Sequence, residues 1–141
     1  MHLMRWLAIA SSVILIAACF FPWITIDSKN IVVSGIDATG TSFGKPGYMH
    51  LLLGVIAIGL LFVKKILAVR ICIFLTAFNA AWAIRNFIVL AVCEGGVCPQ
   101  KQTALFVVLV SSFALMICNF FIPVNVVAQQ DENPAGQNTG G

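Results

Sequence analysis

Cys93 and Cys98 flank the run Glu94-Gly95-Gly96-Val97 and are followed by Pro99. Glycines at the centre of such a run allow a turn that brings the two thiols together. On the oxidising side of a membrane the pair closes as a disulfide. Closing so small a ring stabilises by about 2 kcal/mol in the chain-entropy model. The alternative chemistry is thiol–disulfide exchange, which generally uses a Cys-x-x-Cys pair. Here four residues separate the cysteines. A structural disulfide is therefore the preferred reading, and a thiol–disulfide or quinone-linked oxidoreductase is the enzyme alternative. The remaining cysteines, Cys19, Cys72 and Cys118, lie in apolar runs, where free Cys serves as a small hydrophobe.

A second group of candidates lies upstream. Cys72, Thr76, Asn79 and Asn86, at spacings of four, three and seven, fall on one helical face, with Trp82 and Arg85 beside it. A central Arg opposes membrane insertion by about 2.5–3.5 kcal/mol, whereas each strongly apolar residue favours it by about 0.3–0.6 kcal/mol. The apolar residues narrowly prevail, so this face should turn into a bundle rather than to lipid. Arg85 should pair with Asp37 or, as second choice, Glu94. A ligand or proton role for Arg85 is the alternative, because ionisable groups at membrane depth are functional candidates.

Other chemistries find little support. His2 and His50 fall at opposite ends of the expected bundle and cannot ligate one haem. His50 reads as an interfacial side chain, and no cluster has zinc spacing, so neither metal nor cofactor is expected. There is no phosphate-binding Gly-Lys loop. Asp27, Asp37, Glu94, Asp131 and Glu132 form no recognisable acid–base pair in sequence.

The elements that must position these residues are membrane spans. Of 141 residues, 60% are hydrophobic and only 9% charged, against about 25% charged in soluble domains. Mean hydropathy is +1.01. Apolar runs cover about 3–21, 48–63, 71–92 and 103–122, close to the ~20 residues a spanning helix needs. The fold class expected is an all-α membrane protein, a four-helix transmembrane bundle over residues 1–128. The runs are continuous and too long for barrel strands of about 10 residues. Small-residue pairs, Ala8 with Ser12 and Ala77 with Ala81, permit close helix approach or self-association.

Arg5, Lys64, Lys65 and Arg70 mark one end as cytoplasmic. Lys29, Lys45 and Lys101 at the other end are offset by Asp27, Asp37 and Glu94. Both termini then lie in the cytoplasm, and residues 129–141, rich in Gly, Pro, Asn and Gln, form a disordered tail. The net charge of +3 is spread along the chain without interleaved aromatics, which argues against nucleic acid as a partner. The first outward loop opens Phe21-Pro22-Trp23: Pro22 ends helix one and Trp23 is the interface anchor. Ile24, Ile26 and Ile31-Val32-Val33 around Ser28-Lys29-Asn30 read as a short β-hairpin.

Phe21-Pro22-Trp23, Ser34-Gly35-Ile36-Asp37, Lys45-Pro46-Gly47, Trp82-Ala83-Ile84-Arg85-Asn86 and the run from Cys93 to Pro99 resemble a group of small bacterial four-span membrane proteins. The resemblance covers nearly the whole chain except the tail. It implies a multi-pass protein of the bacterial inner membrane and supplies no catalytic residues. Ile16-Ala17-Ala18-Cys19 also resembles a lipoprotein signal. The helix exit that follows it favours an uncleaved first helix. The functional expectation is a non-enzymatic accessory or interaction subunit, with the bilayer and another membrane protein or a second copy as partners. Small-solute transport by an oligomer is a third reading.

Overall fold

The computed structural model describes residues 2–93 and 95–122; Glu94 and the expected tail at 129–141 lie outside them. Helices α1 (His2–Ala18), α2 (Gly47–Phe62), α3 (Ile66–Ala91) and α4 (Thr103–Phe120) are joined by strands β1 (Pro22–Ile26), β2 (Ile31–Ser34) and β3 (Gln100–Lys101). Among the described residues α3 and α4 are long and apolar enough to cross a membrane, and α1 and α2 are shorter apolar helices.

The helix ends follow from local chemistry. Tight-turn bonds from Cys19 N–H to Ile16 O and from Phe20 N–H to Ala17 O wind α1 down before Pro22 enters the strand. α3 begins at Ile66, ahead of the expected Ile71, because Ile66-Leu67-Ala68-Val69 continues the helical pattern once Lys65 has turned. Only Val63, Lys64 and Lys65 link α2 to α3, a length that forces the two helices antiparallel. Each helix packs chiefly on two others, α1 on α2 and α4, and α3 on α2 and α4, so the four form a ring. The α1–α2 seam is close because Gly54 lacks a Cβ: the Ser12 hydroxyl donates to Gly54 O at 2.9 Å.

One end of the ring carries a three-stranded antiparallel sheet in the order β2-β1-β3. The expected hairpin is present, with Thr25 opposite Val32 and Ile26 opposite Ile31. Asn30 closes its turn at φ 49°, a left-handed conformation that Asn tolerates. The sequence does not announce β3. It pairs Gln100 with Thr25 and Lys101 with Ile24, bringing the α3–α4 connection onto the hairpin. Gln102 extends the junction: its N–H donates to Trp23 O at 2.8 Å and its amide to Thr25 Oγ1 at 3.1 Å.

Trp23 corrects an expectation. Read as an interface anchor, it is instead fully buried, donating from Nε1 to Ala18 O at 2.9 Å. The loop passes beneath it on glycine: a Cβ at Gly35 would lie 2.7 Å from Trp23 Cζ2, and one at Gly47 would lie 2.5 Å from Gly35 O. The Gly47 N–H donates to Gly35 O at 2.6 Å, so loop backbone rests directly on the first turn of α2.

Gly47 and Gly59, on the same helix, make a paired test. Gly47→Ala forces backbone apart and should destabilise by about 1–3 kcal/mol, as overpacking does. Gly59 is exposed with nothing near its missing Cβ, so Gly59→Ala should leave stability unchanged or raise it by about 0.5–1 kcal/mol. Thermal unfolding of the purified protein measures both; equal effects would show that the Gly35–Gly47 contact is not tight.

Candidate functional site

Cys72, Thr76, Asn79 and Asn86 are all buried along α3, with Ala80 and Ala83 between them. Thr76 satisfies its hydroxyl within the helix, donating to Cys72 O at 2.8 Å. The two asparagines instead reach across to neighbouring helices.

Their shared partner is His50. Expected at an interface, it is fully buried on the first turns of α2. Its Nδ1 lies 2.7 Å from Asn79 Oδ1, and its Nε2 lies 3.3 Å from Asn86 Nδ2. An amide oxygen only accepts and an amide nitrogen only donates. The ring is therefore neutral, with its proton on Nδ1. Asn79 Nδ2 passes the chain on to Ser112 Oγ at 3.1 Å. The donors run one way, Asn86 to His50 to Asn79 to Ser112, and link α3, α2 and α4. Trp23 closes the site from the cap side, its indole edge-on to the imidazole with centroids 6.0 Å apart. Chains of this kind gain from mutual polarisation in a low-dielectric interior.

A second polar contact lies toward the opposite end. Cys72 Sγ donates to Asn119 Oδ1 at 3.4 Å, and Asn119 Nδ2 donates to Leu115 O at 2.9 Å. Arg5, Cys72 and Asn119 border a gap of only about 10 Å³ there, about the least space that admits a single water. Ser112 and Asn119 escaped the sequence reading. Their spacing of seven on the fourth apolar run was the available signal, the same face test that singled out α3.

Arg85 stands outside this interior. It is exposed on α3, and its guanidinium lies 4.9 Å from the centre of the Trp82 ring. Trp82 is fixed in turn by a bond from Nε1 to Pro46 O at 3.2 Å. Asp37, the first-choice partner, occupies a loop turn, where Thr39 donates to its carboxylate through both hydroxyl and backbone N–H. Those bonds, with Lys45 nearby, hold the Asp37 carboxyl below its ordinary value. Glu94, the second choice, lies outside the described residues. Beside Arg85 opens a recess of about 490 Å³, bounded by Ser42, Phe43 and Pro46 of the loop, by Asn86 and Ile88 of α3 and by Val92 just past its end.

Cys93 and Cys98 form a disulfide. Gly95 and Gly96 between them have φ of 61° and 82°, so glycine supplies the left-handed turn that the short ring needs. Cys19 and Cys72 are buried free thiols, and Cys118 is half-buried. Cys19 donates to Leu15 O at 3.3 Å within the core, so it belongs to the bundle's packing. Among the described residues no three His, Cys, Asp or Glu side chains gather as metal ligands would.

No family model, curated protein or solved structure matches the chain. The molecule offers a neutral, doubly hydrogen-bonded imidazole, a guanidinium over an indole beside a recess, and a closed disulfide.

Two experiments probe this interior. His50→Ala strands two buried amides, each costing about 1–3 kcal/mol. Adding Asn79→Leu should cost less than the sum of the single changes, with a coupling of about 0.5–3 kcal/mol in a thermal-unfolding cycle; strict additivity would deny the bond. Replacing Cys93 and Cys98 together by Ser should lower stability by about 2 kcal/mol or less. Alkylation trapping in cells should find the pair oxidised throughout growth. A growth-dependent reduced fraction, or a mixed disulfide with another protein, would assign it to redox chemistry.

Proposed function

We propose that the chain is a four-span protein of the bacterial inner membrane. Both termini are cytoplasmic, and it acts as a non-enzymatic accessory or interaction subunit through its outward cap. The observation that carries the reading is an inverted distribution of polarity. Phe74, Phe120 and Leu3 are 72%, 70% and 67% exposed on the helix surfaces, while His50, Asn79 and Asn119 are at most 1% exposed within. Water would penalise that arrangement. Hydrocarbon favours it, because buried polar groups find partners and the apolar exterior meets lipid.

The charges support the same orientation. Lys64, Lys65 and Arg70 are exposed at one end, and the cap carries Asp27, Lys29, Asp37, Lys45 and Lys101 at the other. α1 and α2, of 17 and 16 residues, fall short of the ~20 that cover ~30 Å. Flanking Phe20, Phe21, Lys64 and Lys65 bridge the difference by interfacial contact and snorkelling. The resemblance to small bacterial four-span proteins supports the compartment.

The interaction role rests on the cap's construction. Two loops share one sheet, one of them is closed by a disulfide, and Val32 is left 55% exposed at its surface. A rigid apolar projection of this sort suits recognition, because little is lost in ordering it.

A reporter active only outside the cytoplasm should work when inserted near Asn30 and stay silent when fused after Gln129. A photo-crosslinking residue at Val32 should give one discrete protein adduct in cells, whereas one at Phe74 should label lipid. The opposite reporter pattern overturns the topology, and absence of any adduct at Val32 overturns the cap as contact surface.

A further inference from the structure

The recess beside Arg85 has the features of a binding site rather than of a packing defect. Its cation is positioned: Pro46 O holds the Trp82 indole, and the indole face holds the guanidinium. Next to it Asn86 closes the floor of the recess, its Nδ2 already engaged with His50 Nε2. Ser42 brings a hydroxyl from the opposite wall. These donors suit an oxyanion, since a guanidinium binds charged oxygens strongly. The remaining wall is apolar, with Phe43 half-buried and Ile88 and Val92 57% and 58% exposed. A soluble anion gains nothing from those residues, but an acyl chain does.

Depth agrees with the chemistry. The 26 residues of α3 extend about 39 Å at ~1.5 Å each, more than the ~30 Å of hydrocarbon. With Arg70 toward the cytoplasmic end, the turns around Arg85 stand near the outer headgroup level, where a guanidinium can meet a lipid phosphate without deep burial.

We propose that this recess binds one anionic phospholipid of the outward leaflet, its headgroup oxyanion held by Arg85 and Ser42 and an acyl chain laid along Ile88 and Val92. The inference rests on the membrane-spanning reading above.

Native mass spectrometry of the full chain in mild detergent tests it, with phosphatidylglycerol, phosphatidylcholine, oleate and inorganic phosphate as separate probes. One phosphatidylglycerol per chain should be retained, while phosphatidylcholine and inorganic phosphate should not. Arg85→Gln should weaken retention about tenfold or more, the loss expected for one charge-assisted hydrogen bond, and Arg70→Gln should leave it unchanged. Ile88→Trp keeps the charge and fills the recess, so it should also abolish retention, which guards against misfolding of the Arg85 variant. Retention of oleate in place of phosphatidylglycerol would assign the oxyanion to a carboxylate at the same site. Equal retention of the two phospholipids, Arg85-dependent binding of inorganic phosphate alone, or equal effects of the Arg85 and Arg70 changes would overturn the proposal. Alkaline carbonate extraction separates the two levels. A chain released from membranes defeats the spanning reading, whereas a chain that stays but shows no selectivity defeats only the lipid site.

Discussion

The bundle depends on one imidazole being satisfied on both sides. His50 is wholly enclosed, so each ring nitrogen must find a partner within the protein or cost the free energy of a stranded polar group, about 1–3 kcal/mol. Asn79 and Asn86 answer that need from α3, seven residues apart on one face. Asn79 then requires a partner of its own and finds Ser112 on α4. The rotation of α3 about its axis and the approach of α4 are thereby fixed by hydrogen-bond geometry. Apolar contacts alone, which Leu, Ile and Phe can make in many registers, would leave them free.

The cap answers a different constraint. The imidazole lies near the N-terminal end of α2, where bundle meets loop, and something must cover it. Trp23 does so, and it can sit there only because Gly35 and Gly47 let backbone pass beneath the indole without side chains between. The strand that begins beside Trp23 becomes the centre of the sheet, and β3 locks onto it from the second loop. Interior and cap are thus one construction, with Trp23 belonging to both.

Much of this was legible in the amino-acid pattern. The polar face of α3 stood out because Thr76, Asn79 and Asn86 interrupt an apolar run at helical spacing. The hairpin stood out because β-branched residues flank a polar turn, and the disulfide because two glycines sit between two cysteines. His50 and Trp23 were misread for a common reason. An amphipathic ring near the end of an apolar run has the same local signature whether it faces the interface or the core. The choice depends on Asn79, Asn86, Gly35 and Gly47, residues distant in sequence. β3 was hidden because Gln100-Lys101 is two polar residues, a strand only by virtue of the edge that β1 offers it.

The one-way order of donors from Asn86 through His50 to Asn79 and Ser112 ties the orientation of each group to the next. Turning one amide over would set two acceptors or two donors face to face. Reversal therefore requires both asparagines and the imidazole proton to change together, ending with Ser112 as donor and Asn86 as acceptor. The two amides and the imidazole therefore hold one orientation as a unit, and none of them can turn without its neighbours.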